Sequence, residues 1–230
     1  MLDFLGDAKG YFADVGANEP RAGSQTWHLE QVGWTGVLIE PQPDLAEKLR
    51  MERKAKVFAV ACSSPGNSGK TLPLHVAGTL SSLDLDQMAP GALPSAVVQV
   101  PVRTLDEILI EAGAPGPIDF LTVDVEGHEL EALRGFDFHR WRPRLVLLED
   151  PVANRDKFRF MNAAGYRLIR HVGFNGWYVP ADAARPADWR DRLEIWRKYY
   201  LGLPFRVLRN ASRRLRQPFK DRRAAGQRSH

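Results

Sequence analysis

Tyr11-Phe-Ala-Asp14-Val-Gly16-Ala-Asn18, followed by Gly36-Val-Leu-Ile-Glu40-Pro41, decides how this chain folds. An apolar run that breaks into Asp-Val-Gly-Ala-Asn reads as a buried strand ending in a glycine turn. Gly16 has no Cβ, so the backbone can bend sharply there and a ligand can approach it closely. The second apolar run is another strand, and it ends in an acidic residue, Glu40, 24 positions after Gly16. In doubly wound sheets a carboxylate at about that distance accepts hydrogen bonds from the ribose hydroxyls of a bound nucleotide. The two segments predict an adenosine-bearing cofactor across the carboxyl ends of two parallel strands, held by Asp14, Gly16, Ala17, Asn18, Glu40 and Pro41.

What the loop lacks narrows the cofactor. A dinucleotide site needs Gly-x-Gly-x-x-Gly so that a pyrophosphate can sit against a helix N-terminus. From Gly16 the chain reads Gly-Ala-Asn-Glu-Pro-Arg, without the second and third glycines and with an acidic Glu19 where phosphate would be repelled. S-adenosyl-L-methionine suits such a loop: adenosine, no phosphate, a sulfonium and an amino-acid end. The missing glycines count against an NAD-binding oxidoreductase. Gly66-Asn-Ser-Gly69-Lys70-Thr71 imitates a phosphate loop, but that motif needs glycine where Ser64 stands. Leu72-Pro-Leu-His-Val76 then alternates like a strand, so a surface turn is the better reading.

At 230 residues the chain can bury one sizeable α/β core with an appendage, and 44% apolar content marks a packed globular protein. Its single cysteine, Cys62, allows no internal disulfide and is compatible with a reducing cytoplasm. No apolar run approaches the ~20 residues of a membrane span, and Met1-Leu-Asp-Phe-Leu-Gly-Asp7 lacks the pattern of a secretory leader. The charge is segregated. Residues 181–230 hold 14 Lys/Arg and 5 Asp/Glu, whereas 1–180 hold 18 and 23.

Strand signals lie near 11–15, 36–39, 56–61, 118–124, 144–149, 166–170 and 174–179, with helical patterns near 24–32, 43–51, 104–112, 128–134 and 154–164. Seven strands alternating with helices predict a mostly parallel sheet covered on both faces. Only Val172-Gly173 separate the last two strands, too few residues for a crossover helix, so those two are antiparallel. The expectation is an α/β, Rossmann-like, seven-stranded sheet of the class I methyltransferase type with a C-terminal antiparallel hairpin. Residues 1–180 form this domain, 65–103 an irregular insertion with a small hairpin covering the site, and 181–230 a basic helical extension.

Several blocks in order resemble the FkbM family of methyltransferases. They are Phe12-Ala-Asp-Val-Gly-Ala-Asn-Glu-Pro20, Gly23-Ser24-Gln-Thr26, Leu29-Glu30, Gly33-Trp-Thr-Gly-Val-Leu-Ile-Glu-Pro41 and Val100-Pro-Val-Arg-Thr-Leu-Asp106. Further on come Ile118-Asp-Phe-Leu-Thr-Val-Asp-Val-Glu-Gly127-His-Glu-Leu, Leu133-Arg-Gly135-Phe and Pro143-Arg-Leu-Val-Leu-Leu-Glu149. The resemblance covers about 11–180. It implies a class I fold, S-adenosyl-L-methionine as methyl donor and usually O-methylation, often of sugar hydroxyls in glycans, glycolipids or natural products. Little chain precedes the first strand, and the segment after 180 has no counterpart in these motifs.

The candidates for chemistry are Asp124, Glu126, His128 and Glu149. Ile118–Val125 is an apolar run ending in Asp-Val-Glu-Gly, which puts Asp124 and Glu126 at a strand's carboxyl end, where ligands bind in such sheets. Glu149 closes the next strand. Three neighbouring carboxylates are costly unless they bind a cation or share protons. Two readings follow: Asp124, Glu126 and Glu149 hold a divalent metal that acidifies an acceptor hydroxyl, or a carboxylate or histidine takes the proton directly. Glu149 could equally pair with an arginine, and His128 could be a surface residue at a helix start. Cys62, ending the third strand, is either a wall of the adenine pocket or a plain buried thiol. Ser24 and Thr26 are read as caps of the first helix, with either able to touch the methionine end.

From Pro204, Phe205, Leu208, Ser212, Leu215 and Phe219 recur at helical spacing, and Arg206, Arg209, Arg213, Arg216 and Lys220 follow one residue later. Leu193, Trp196, Tyr200 and Leu203 make another stripe upstream. Such a tail can dock on the domain or a second subunit, lie on an anionic membrane surface through 204–220, or bind nucleic acid, the reading that the acidic main domain disfavours. The sequence expectation is a cytoplasmic O-methyltransferase for a carbohydrate or glycoconjugate acceptor, peripheral at the inner face of the membrane if the tail binds lipid. N-methylation on the same fold and a catalytically inactive scaffold of a glycan pathway are its rivals.

Overall fold

The computed structural model describes residues 2–6, 9–78, 81–83, 93–184 and 188–207. After a short helix α1 (Leu2–Leu5), the chain alternates β1 (Tyr11–Val15), α2 (Trp27–Gln31), β2 (Thr35–Ile39), α3 (Pro43–Glu52) and β3 (Lys56–Phe58). Three strands follow: β4 (Ala61–Cys62), β5 (Thr71–Val76) and β6 (Ala96–Arg103). Then come α4 (Leu105–Ala112), β7 (Phe120–Val123), α5 (Glu129–Arg134), α6 (Phe138–Trp141), β8 (Leu145–Glu149), α7 (Asp156–Ala163), β9 (Tyr166–Val172), β10 (Asn175–Pro180) and α8 (Trp189–Trp196).

The main sheet has seven strands in the order β3-β2-β1-β7-β8-β10-β9. β1 lies parallel between β2 and β7, and β8 continues the parallel set. β10 runs antiparallel to both neighbours and separates β8 from β9. This is the class I methyltransferase arrangement expected from the sequence, closing hairpin included.

Successive residues of the central strands serve opposite faces, as strand geometry requires. Ala13, Val15, Val37, Ile39, Leu121, Val123, Val146 and Leu148 belong to one core with α4 and Trp141. Phe12, Leu38, Phe120, Leu145 and Leu147 belong to the other, with Leu29 and Leu49. Both faces are therefore sealed, and polar groups gather at the strands' carboxyl ends. α4 is fixed by a capping box between Thr104 and Glu107 and ends at Gly113 in the left-handed region.

Two local readings change. The strand expected over 56–61 stops at Phe58, whose carbonyl accepts from Glu40 N; Ala61–Cys62 then leaves the main sheet to pair with β6. Cys62 therefore ends β4 in a small second sheet of order β4-β6-β5. The first helix begins at Trp27, because residues 20–26 are committed to turns around a buried arginine. The stretch imitating a phosphate loop is a 3-10 turn over Pro65–Asn67 leading into β5.

After α8 the helix widens into a π turn at Arg197–Leu201 and continues helically to Val207. The stripe expected over 208–220 lies outside the described residues. No helix among the described residues is long and apolar enough to cross a membrane.

Candidate active site

The carboxyl ends of β1, β2 and β7 converge on a cleft. Gly16 turns the chain there at φ +87°, and a Cβ on it would lie 1.8 Å from the Asp124 carbonyl oxygen. The glycine is thus demanded first by the crossing of two backbones. Gly16 N and Ala17 N both donate to the Ile39 carbonyl, at 2.9 and 3.1 Å. Asn18, itself in the left-handed region, donates its backbone N–H to Glu40 Oε2 at 2.9 Å. Gln42 N donates to Glu40 Oε1, also at 2.9 Å. Glu40 is nearly fully buried, and burial raises its pKa against the pull of those amides. Its oxygens keep lone pairs that can accept from two vicinal hydroxyls.

Gly16, Asn18, Glu40 and Pro41 line the polar wall of this cleft, while Ile39, Val60, Cys62, Leu74, Leu83 and Val125 supply the apolar ones. Burial pushes the Cys62 thiol up to about 12, so it stays protonated and acts as part of the apolar wall. An apolar slot closed at one end by a carboxylate fits an adenosine. Among the described lining residues there is no lysine or arginine to hold a phosphate, whereas Glu40, Asp124 and Glu126 suit a cationic sulfonium nucleoside.

Asp14, Ser24 and Thr26 lie behind the loop and are not among the lining residues. Thr26 Oγ1 donates to Asp14 Oδ2 at 2.6 Å and accepts from Arg53 at 2.9 Å. Arg53 also pairs with Glu30 at 3.0 Å and donates to Ser24 Oγ at 3.1 Å. Ser24 Oγ accepts from Trp27 N at 3.1 Å and so starts α2, whereas the Thr26 side chain caps nothing. Burial pushes the Asp14 carboxyl up to about 6, moderated by Thr26 and Arg53. The network braces the cofactor loop from beneath. Arg53 and Glu30, its hub, are not singled out by sequence reasoning.

On the opposite wall stand Asp124, Glu126 and His128. Asp124, Glu126 and Glu149 bring carboxylate oxygens within 4.8 Å of one another, although Glu149 itself does not line the cleft. The loop carrying them is constrained: Glu126 and Gly127 take successive positive φ values of 50° and 98°. Ser82 Oγ, from the segment between β5 and β6, donates to the Glu126 carbonyl at 2.7 Å. From below, the fully buried Glu129 accepts from Val125 N at 3.3 Å and Gly127 N at 2.8 Å. Its second oxygen pairs with Lys157 Nζ at 2.6 Å, and Lys157 also donates to the Glu149 carbonyl at 2.7 Å.

The electrostatics follow from this packing. Burial, the largest influence, opposes ionisation of Glu129, but Lys157 together with the Gly127 amide and Glu149 holds the carboxyl below its ordinary range. Burial, then the charges of Asp124 and Glu129, push Glu149 up to about 9. Burial and the same two neighbours push Glu126 up to about 7, and Asp124 is raised for similar reasons. At neutral pH the cluster therefore retains protons. The same spacing would let a divalent cation bridge the three groups, so the residues fit either occupant. His128 lies at the cleft edge with Nε2 3.0 Å from Ser63 Oγ, which accepts from Asn67 Nδ2 at 3.0 Å.

Glu129 and Lys157 are the site residues that sequence reasoning misses. Glu129 carries a signal, standing inside the Asp-Val-Glu-Gly-His-Glu block; Lys157 carries none, since only the fold brings α7 beneath β8.

Residues 14–172 match the family described as the methyltransferase FkbM domain. Among solved structures, the chain is similar to methyltransferase FkbM from Methylobacillus flagellatus KT, with 16% identity and a TM-score of 0.47. That alignment covers 75% of this chain and 44% of the other, so this chain spans less than half of its relative's length. No curated protein matches the chain. The matched span takes in the cofactor loop, the acidic cluster and β9, the first strand of the closing hairpin; the chain belongs to the FkbM methyltransferase domain family, and S-adenosylmethionine is the cofactor that membership implies.

Proposed function

We propose that this protein transfers a methyl group from S-adenosylmethionine to a hydroxyl oxygen of a carbohydrate or glycoconjugate. The observation that carries the reading is the carboxylate cluster at the ends of β7 and β8, opening on the same cleft as Glu40. When bound, the cofactor supplies an electrophilic methyl on its sulfonium. Glu40, Gly16 and Asn18 would hold its nucleoside, Glu40 accepting from the ribose hydroxyls. Glu126 would take the proton that the acceptor hydroxyl gives up on methylation. A base pushed up to about 7 is well matched to that task near neutral pH. Glu149, still protonated, donates a hydrogen bond within the cluster and adds no further negative charge beside Asp124 and Glu126. Such a row of donors and acceptors suits an acceptor with adjacent hydroxyls. Alignment of the two reactants supplies the larger share of the rate, about 7–11 kcal/mol where geometry is good.

Incubation of the full chain with methyl-labelled donor and fractionated cell glycans and lipids tests the proposal. It expects label in an alkali-stable ether on a sugar. Label on nitrogen would convert the reading to N-methylation. No transfer to any fraction, with donor still bound, would leave the fold serving as a scaffold.

A further inference from the structure

We propose that α8 and its helical continuation to Val207 form a docking face for an anionic phospholipid bilayer. The inner side of this segment is built into the domain. Tyr199 is fully buried and its hydroxyl donates to Asp150, the residue after Glu149. The Arg155 guanidinium donates to the Tyr199 carbonyl at 2.8 Å, and Arg206 donates to the Val152 carbonyl at 3.1 Å. Lys198 Nζ reaches His171 Nδ1 at 2.9 Å, and Arg170 pairs with Asp191 at 3.1 Å. The segment is therefore a fixed part of the surface.

Its outer side is apolar and, among the described residues, largely exposed, with Arg155 stacked over the Tyr200 ring. Trp189, Leu193, Trp196 and Tyr200 fall at i, i+4, i+7 and i+11, one stripe of a helix, and are 67%, 56%, 50% and 49% exposed. Phe205, further along, is 75% exposed. Two indoles and a phenol held outward on a rigid helix are not core residues that failed to pack. Their amphipathic rings suit the boundary between lipid headgroups and acyl chains.

Charge selects the occupant. Arg190, Arg192 and Arg197 flank the stripe, and residues 208–230 add eight basic residues and one acidic. Lys and Arg close to an anionic leaflet are attracted to it, and the attraction falls off within a Debye length. The body of the chain, with 23 acidic and 18 basic residues in 1–180, is repelled by the same leaflet and would be turned away from it. A second copy docked on this face would bring two arginine-rich surfaces together. A polynucleotide would engage the arginines but leave the indoles in water.

Co-sedimentation of the full chain with phosphatidylcholine vesicles, with and without phosphatidylglycerol, tests this. Binding is expected only with phosphatidylglycerol, falling as NaCl is raised, with a blue shift of tryptophan fluorescence. The double substitution Trp189→Ser/Trp196→Ser should weaken vesicle binding on the order of tenfold per indole removed. It should leave the far-UV circular dichroism and adenosylhomocysteine affinity unchanged. Failure to bind phosphatidylglycerol vesicles at low salt overturns the proposal, as does undiminished binding by a folded double variant. A solution dimer that the double substitution converts to monomer overturns it in favour of self-association. So does binding of a single-stranded oligonucleotide where vesicles fail, in favour of nucleic acid.

Discussion

Lys157→Met removes the cation that pairs with Glu129 at the floor of the acidic cluster. In the folded protein Lys157 Nζ lies 2.6 Å from Glu129 Oε2, with the two side chains 15% and 0% exposed. Glu129 in turn fixes the loop through Val125 N and Gly127 N. Breaking a buried ion pair by deleting one partner costs about 3–5 kcal/mol, because the remaining charge is stranded. In a chain of this size each kcal/mol corresponds to about 2–4 °C in Tm. The single variant should therefore melt roughly 6–20 °C below the parent. Adding Glu129→Gln deletes the stranded charge and keeps an amide oxygen for the same two backbone donors. The double variant should recover most of the loss, giving a large coupling energy. Thermal and urea unfolding followed by circular dichroism measure both. The reasoning is refuted if Lys157→Met melts within a degree of the parent, or if the double variant is no more stable than the single.

Glu40→Ala should weaken adenosylhomocysteine binding roughly 10–100-fold by calorimetry, as expected for losing hydrogen bonds to a charged acceptor; unchanged affinity would remove Glu40 from the cofactor site. Glu126→Gln should depress turnover far more than donor affinity, and the parent's turnover should rise with pH through about 7 as Glu126 ionises; a flat profile would exclude it as base. Glu149 has a raised folded-state pKa of about 9, so its stabilising contribution is full below its unfolded value and is lost as pH rises towards 9. Glu149→Gln should therefore gain stability relative to the parent as pH climbs over that window, and melting curves across it will show whether the difference grows. Proton transfer to a carboxylate without a metal predicts that turnover persists after dialysis against EDTA. Loss of turnover with recovery on adding magnesium would instead make Asp124, Glu126 and Glu149 metal ligands.

The sheet was legible because each central strand is an unbroken apolar run ending in a polar turn, a pattern that only a sheet covered on both faces produces. Gly16 and Glu40 were legible for a related reason: both stand at strand ends, where spacing in the sequence maps directly onto the cleft. Even so, Gly16 answers first to the Asp124 carbonyl, a neighbour more than a hundred residues away that no local pattern announces. The break between Phe58 and Ala61 is set by pairing with β6, again a distant partner. Thr26 reads as a cap from its residue type, yet Asp14 and Arg53 recruit its hydroxyl. Tyr199 reads as one more aromatic in a stripe, and only the π turn sets it inward against Asp150. What sequence withholds is which distant side chain satisfies a buried polar group.

The position of β10 between β8 and β9 bears on how the protein is made. A ribosome releases β8 well before β10, so the nascent chain carries a bare hydrogen-bonding edge on the strand that bears Glu149 until residue 175 emerges. During that interval the exposed edge can recruit a strand from any neighbouring chain. Truncations ending between 150 and 174 should consequently accumulate as insoluble aggregates, while those reaching Pro180 close the sheet.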